Sequence, residues 1–170
     1  MSAEQLGLLP SQVQELAIAV SCPILCGLLV SATISFDQKQ WYARLRKPAW
    51  FPPIWLSNSA CVVIFILSGI ASWLVWDATR LAGSVVQAVP LSSYLLTMVL
   101  IHLWPVCVFH AKRLDYATIT CVLLLGTELG TFLLFDEVLG LTLAATLLGP
   151  LILWTVGATL VTYALMLRNA

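Results

Sequence analysis

Glu128 is the one carboxylate inside a long apolar run of this chain. If lipid surrounds that run, an ionised carboxylate is costly, so the group should pair, carry a proton or face a polar cavity. His102, in another apolar run, is one candidate partner, and a neighbouring threonine or the backbone is the alternative. Gly126 and Gly130 bracket Glu128 with the spacing that lets helices approach closely, within one chain or between two copies. The seven tryptophans are the second signal. Trp41, Trp50 and Trp55 cluster around a basic stretch, and Trp73 and Trp76 end an apolar run, as in an interfacial aromatic belt. Trp154 lies roughly 21 Å from Arg168 along a helix axis, and Trp104 about 12 Å from Lys112, at about 1.5 Å per residue. Both are therefore too deep for a belt, and a deep indole either packs helices or lines a cavity. Trp154, Ala158 and Val161 share one helix face, which leaves room beside the indole for a flat apolar guest.

Other chemistry is not indicated. The five cysteines, Cys22, Cys26, Cys61, Cys107 and Cys121, all fall in apolar runs. They read as small buried apolar side chains. Their number is odd and no Cys-x-x-Cys or His-x-x-x-His spacing occurs, so neither disulfides nor a metal site is expected. There is no nucleophile elbow, phosphate loop or pair of catalytic carboxylates, so no catalytic residue and no cofactor are expected. Leu160, Tyr163 and Arg168 fit the loose pattern proposed for cholesterol contact, although an ordinary tyrosine and arginine at a helix end look the same.

The elements that must hold these residues follow from composition. Of 170 residues, 61% are hydrophobic and 9% charged, where a soluble domain carries about 25% charged. The missing polar surface implies lipid as solvent. A net charge of zero argues against nucleic acid as partner. A bilayer core needs about 20 apolar residues per helix. Five stretches qualify, near 13–35, 54–76, 91–111, 116–135 and 141–167. They are continuous rather than alternating in polarity, so they read as helices and not barrel strands. The expected fold is an all-α membrane protein, a bundle of five transmembrane helices. Residues 1–12 read as a polar leader and 13–169 as one domain, with a ligand-binding loop at 36–53. Pro48, Pro52 and Pro53 prevent a continuous helix through that loop. Lys39, Arg44, Arg46, Lys47, Lys112, Arg113 and Arg168 fall on one side of the five spans, and Arg80 alone on the other. The positive-inside rule therefore places the first loop and the C-terminus in the cytosol.

The first loop also carries a pattern. Trp41-Tyr42-x-x-Leu45-x-Lys47-Pro48-x-Trp50-x-Pro52-Pro53-x-Trp55 resembles the signature of the translocator protein family, the TspO or tryptophan-rich sensory proteins, formerly called peripheral benzodiazepine receptors. The likeness continues in Ala71 to Trp76, Pro90-Leu91-x-x-Tyr94, Trp104-Pro105-x-x-x-Phe109 and Pro150-x-x-x-Trp154-x-x-x-Ala158-Thr159-x-x-x-Tyr163, covering about residues 20 to 169. It implies a five-helix bundle, often dimeric, with a pocket closed by the first loop. It implies as ligands cholesterol or another sterol, tetrapyrroles of the heme type such as protoporphyrin IX, and synthetic benzodiazepine-site drugs. It implies the mitochondrial outer membrane as location, with the endoplasmic reticulum or a bacterial membrane as alternatives. Carried over by position, Trp50, Ser57, Asn58, Trp104, Tyr116, Leu123, Trp154, Ala158 and Val161 would line the pocket. Leu160, Tyr163 and Arg168 would form a cholesterol-recognition end. The sequence departs from the family at Cys61, where a tryptophan implicated in bacterial porphyrin breakdown usually stands. It departs also at Ile101-His102, Thr120 and Thr162, which replace polar or aromatic anchors. The expected function is ligand binding related to transport. The alternatives are a tryptophan-dependent porphyrin-degrading enzyme, against which Cys61 counts, and a membrane scaffold.

Overall fold

The computed structural model describes residues 9–169. Among them there is no strand, and five helices are long and apolar enough to cross a membrane. The first span is α1, Pro10–Thr33. Pro10 opens it where a missing N–H costs nothing, and the Gln12 side chain accepts the Leu9 N–H at 2.9 Å. The leader read at 1–12 lies largely outside the described residues.

The loop expected at 36–53 contains a short helix, α2, Phe36–Arg44. Ser35 and Gln38 close a capping box, with Asp37 in the first turn and Arg44 in the last, both favourable to the helix dipole. The prolines then end it, and Pro53 caps the next helix, α3, Ile54–Thr79.

The third span starts earlier than the hydropathy suggests. Helix α4 runs Ser84–Pro105 behind Gly83, whose φ of 96° suits glycine alone, and it carries Pro90 inside. Residues 84–90 are helical despite their weaker apolar pattern, because neighbouring helices support the backbone around Pro90, which is buried. A wider turn, Val106–His110, follows, with Ala111 N–H donating to Val106 O at 3.0 Å. Helix α5, Leu114–Leu133, ends likewise in a π-turn, Leu134–Val138, and α6, Thr142–Asn169, completes the set.

Helix α3 packs on α1, α4 and α6, while α5 packs on α4 and α6. The bundle buries its apolar core in two clusters. Ala71, Val75, Phe135, Ala144, Ala145 and Leu148 form one, and Ile64, Met98 and Leu151 the other. Leucines, valines and isoleucines such as Leu29, Val63, Leu96, Leu123 and Leu153 cover the outside. That outer coat belongs in lipid, and the chain is a multi-pass membrane protein.

The close helix approach is not where the paired glycines suggested. A Cβ on Gly126 or Gly130 would meet nothing within 4 Å, so the motif joins no helices inside the monomer. The tight crossing is α1 with α3. A Cβ on Gly69 would lie 2.7 Å from both Ala19 O and Val20 Cα. Pro23 has no N–H to give to Ala19 O, and Gly69 sets α3 against that carbonyl. At the acidic end Arg80 bonds Glu15 and lies 3.3 Å from Asp77, while Gln12 reaches Asp77 at 3.2 Å. The cysteines are all free, but Cys22 and Cys26 are exposed on α1 rather than buried, and Cys121 alone is fully buried.

Candidate ligand-binding site

Helix α6 presents two adjoining faces to the bundle. Leu151, Thr155, Thr162 and Leu165 are buried, and beside them Trp154, Ala158 and Val161 are half-buried. The Trp154 indole packs against the cluster of Ile64, Met98 and Leu151, with Ile101 and Ala60 at its edge. Trp104 comes from α4, and its indole N–H donates to Thr162 Oγ1 at 3.1 Å. Thr162 itself donates to Ala158 O at 2.7 Å. Two half-buried indoles thus meet the bundle separately, Trp154 on the Ile64, Met98 and Leu151 cluster and Trp104 on Thr162.

Glu128 does not meet His102. Thr155 Oγ1 donates to Glu128 Oε1 at 2.7 Å, and the residue is 1% exposed, with Oε2 unpartnered. His102 sits elsewhere, its Nδ1 2.7 Å from Met98 O and its Nε2 3.3 Å from Pro23 O, stacked on Phe65 at 5.5 Å. The threonine alternative is the one realised. It lies on α6, twenty-seven residues away, where no spacing in the sequence could mark it. Further along, Thr131 bonds Ser93 at 2.7 Å and approaches Thr97 at 3.3 Å. Hydroxyls thus line the α4–α5–α6 seam, and the sequence alone did not single them out.

The carried-over residues separate into groups. Trp154, Ala158 and Val161 are half-buried on one face of α6, and half-buried Trp104 meets the same helix through Thr162. Ser57 is half-buried and bonded to Pro53 O at 3.5 Å, Asn58 is exposed, and Trp50 stands out from the loop. Tyr116 and Leu123 are 50% and 56% exposed, on the outer face of α5. Leu160, Tyr163 and Arg168 also lie on the outside, near the C-terminal end of α6. Cys61 is half-buried on α3. Of the expected belt tryptophans, Trp76 is exposed, but Trp73 is half-buried with an unpartnered indole N–H.

The first loop is folded down on the basic end. The Tyr42 ring packs at a tilt against Phe109 at 4.9 Å and Phe51 at 6.4 Å. Lys47 Nζ lies over both rings, at 5.2 and 5.3 Å. Burial pushes the Tyr42 phenol up to about 12. Asn169 clips the loop to the end of α6, accepting Arg46 N–H at 2.9 Å and donating to Arg46 O at 3.3 Å. Two clefts of about 460 Å³ each open at this end. One lies between α1 and the turn after α4, lined by Leu29, Val30, Thr33, Val106 and His110. The other lies under Trp41, beside the Lys112–Asp115 turn. Neither is lined by Trp104, Trp154, Ala158 or Val161.

A five-helix bundle with half-buried indoles on two of its helices and a tryptophan–proline loop over one end defines a class of membrane proteins. The TspO/MBR family matches residues 19–168, and the chain belongs to it. It is 32% identical over 131 residues to the translocator protein of Homo sapiens, covering 76% of this chain and 75% of that one. It is 31% identical over 148 residues to the translocator protein of Sus scrofa, covering 86% and 85%. The tryptophan-rich protein TspO of Archaeoglobus fulgidus is 23% identical over 156 residues, covering 92% and 97%.

Proposed function

We propose that the protein binds a flat apolar ligand, a sterol or a tetrapyrrole such as protoporphyrin IX, between α3, α4 and α6. Benzodiazepine-site drugs would compete for the same space. The reading is carried by the half-buried face of Trp154, Ala158 and Val161, together with a Trp104 indole held on the same helix by Thr162. Such a wall offers apolar burial and stacking with few polar contacts. The ligand enters by displacing side chains now packed on Trp154, so binding is coupled to opening of the bundle. Affinity is then reduced by the fraction of closed molecules. The first loop acts as the lid on the basic end, which faces the cytosol by the positive-inside rule. Of the membranes weighed, we favour the mitochondrial outer membrane, since the translocator protein family includes the human and porcine chains above.

Quenching of tryptophan fluorescence by protoporphyrin IX, titrated in detergent, tests this. Trp154→Ala and Trp104→Ala should each weaken binding about tenfold, the loss of one stacking partner. Unchanged affinity in both variants would remove the proposed site.

A second reading concerns assembly. Gly126 and Gly130 leave an open strip on α5, where a second copy of the chain could pack to give a homodimer. Crosslinking in lipid should yield a dimer that Gly126→Leu abolishes. A dimer that survives that change would place the seam elsewhere.

A further inference from the structure

The cleft under Trp41 is independent of the interior at Trp154, and its chemistry is different. Its floor is Leu45, Leu114 and Met166, its wall is Trp41, and its rim is Lys112, Arg113, Asp115 and Asn169. The polar groups on that rim are not equally available. Arg113 holds Asp115 with two bonds, at 2.9 and 2.7 Å, so this pair cancels. The Asn169 side chain is spent on Arg46 and on Leu165 O. Lys112 remains. Among the described residues it has no carboxylate within ion-pair distance, and its Nζ stands 5.9 Å from the Trp41 ring centre.

The backbone makes Lys112 more unusual. Its φ is +53°, and it is the one non-glycine residue at positive φ among the described residues. The turn it forms ends the π-helical segment, with Arg113 N–H donating to Cys107 O at 3.0 Å. Glycine fits such a position without strain, and a lysine there is strained. Backbone strain of this kind clusters where a side chain has work to do. The position also has a definite depth, since it falls between the spans ending at His110 and starting at Leu114, at the level of lipid headgroups.

We propose that this cleft binds the phosphate headgroup of an anionic phospholipid, with Lys112 as its charge partner and Trp41 as its wall. The cleft opens at the membrane surface, so a bilayer lipid reaches it without leaving the leaflet. Leu45, Leu114 and Met166 then receive the first methylenes of the acyl chain. A bound lipid would bridge the first loop to the α4–α5 turn and hold the lid closed, because Trp41 belongs to α2 and Lys112 to the turn.

Delipidated protein in a neutral detergent, given phosphatidylglycerol or phosphatidylcholine and examined by native mass spectrometry, tests the proposal. One phosphatidylglycerol per chain should be retained, about fivefold more tightly than phosphatidylcholine. Lys112→Gly and Lys112→Asn both tolerate the left-handed backbone, so they should lose that preference with no fall in thermal midpoint. Lys112→Arg should keep it, as should Lys39→Ala, whose lysine is exposed on α2 and outside the cleft. Equal retention of the two lipids by the native chain would overturn the proposal. So would phosphatidylglycerol retention by Lys112→Gly equal to that of the native chain. A protoporphyrin IX arm separates the other source of anionic oxygen. If Lys112→Gly weakens porphyrin binding and leaves phosphatidylglycerol untouched, the cleft takes tetrapyrrole carboxylates and the lipid assignment is wrong.

Discussion

Glu128 has two oxygens and one partner among the described residues. Thr155 supplies the only donor, so the pair fixes α5 against α6 in the middle of the bundle. Removing that hydroxyl leaves a buried carboxyl wholly unmatched. Thr155→Val should therefore cost about 1–2 kcal/mol of stability, read as a fall in thermal midpoint in detergent. Thr159→Val is the comparison, because that hydroxyl donates to the Thr155 backbone O of its own helix, and it should cost much less. Equal effects would mean that Glu128 finds a different partner. The chain's other deep polar side chains obey the same logic. Thr162 gives Trp104 an acceptor, and the His102 ring lies between the Met98 and Pro23 carbonyls, with one N–H to give in its neutral form, rather than on the carboxylate suggested from depth alone. A sequence states which residues must find partners but not which helix supplies them.

At the scale of elements, the α1–α3 crossing and the first loop make separate predictions. Gly69→Ala would drive a methyl to 2.7 Å from backbone atoms that cannot move aside. It should cost about 1–3 kcal/mol, as overpacking does. Gly27→Ala meets the Phe65 ring edge at 3.0 Å, and a side chain can give way, so its cost should be smaller. Thermal unfolding of the two variants in parallel checks the order, and a reversal would place the tight crossing at Gly27. The loop is docked through Tyr42, whose phenol burial pushes up to about 12. An ordinary phenol ionises near pH ~10. The folded pKa is the raised one, so the neutral ring supports docking fully below pH ~10, and that support is lost as pH rises from ~10 through the folded value. The thermal midpoint of the native chain should fall relative to Tyr42→Phe across that window, and tyrosinate absorbance should show one late-titrating ring that the variant lacks. Parallel midpoints would mean the loop gains nothing from burying Tyr42.

For the molecule as a whole, topology is the open quantity. Basic residues gather at the end that holds the first loop, the α4–α5 turn and the end of α6, and the Arg46–Asn169 bonds show those parts to be physically adjacent. With that end in the cytosol, trypsin on the cytosolic face of intact membranes should cut between Lys39 and Lys47 and leave Arg80 untouched. Cleavage at Arg80 alone from that face would invert the orientation. The side chains packed on Trp154 add a kinetic expectation of the same scale. Ligand association should be slow and steeply temperature-dependent, since opening precedes binding.

Five apolar runs, too little charge for a water-facing surface and a lopsided distribution of lysine and arginine were enough to dictate a lipid-embedded five-helix chain. These are properties of composition and length, which the bilayer's thickness and low polarity convert directly into elements. The common face of Trp154, Ala158 and Val161 on one helix was also within reach, because helix periodicity places side chains on faces. What periodicity does not give is the rotation of each helix against its neighbours. That rotation turned Tyr116, Leu123, Gly126 and Gly130 outward, gave Glu128 to Thr155, and put the tight crossing at Gly69. In lipid every face of these helices is apolar enough to be outside, so hydrophobicity alone cannot choose the inner one. Close packing and hydrogen bonds between residues distant in the chain made that choice, and they exist only once the bundle has assembled.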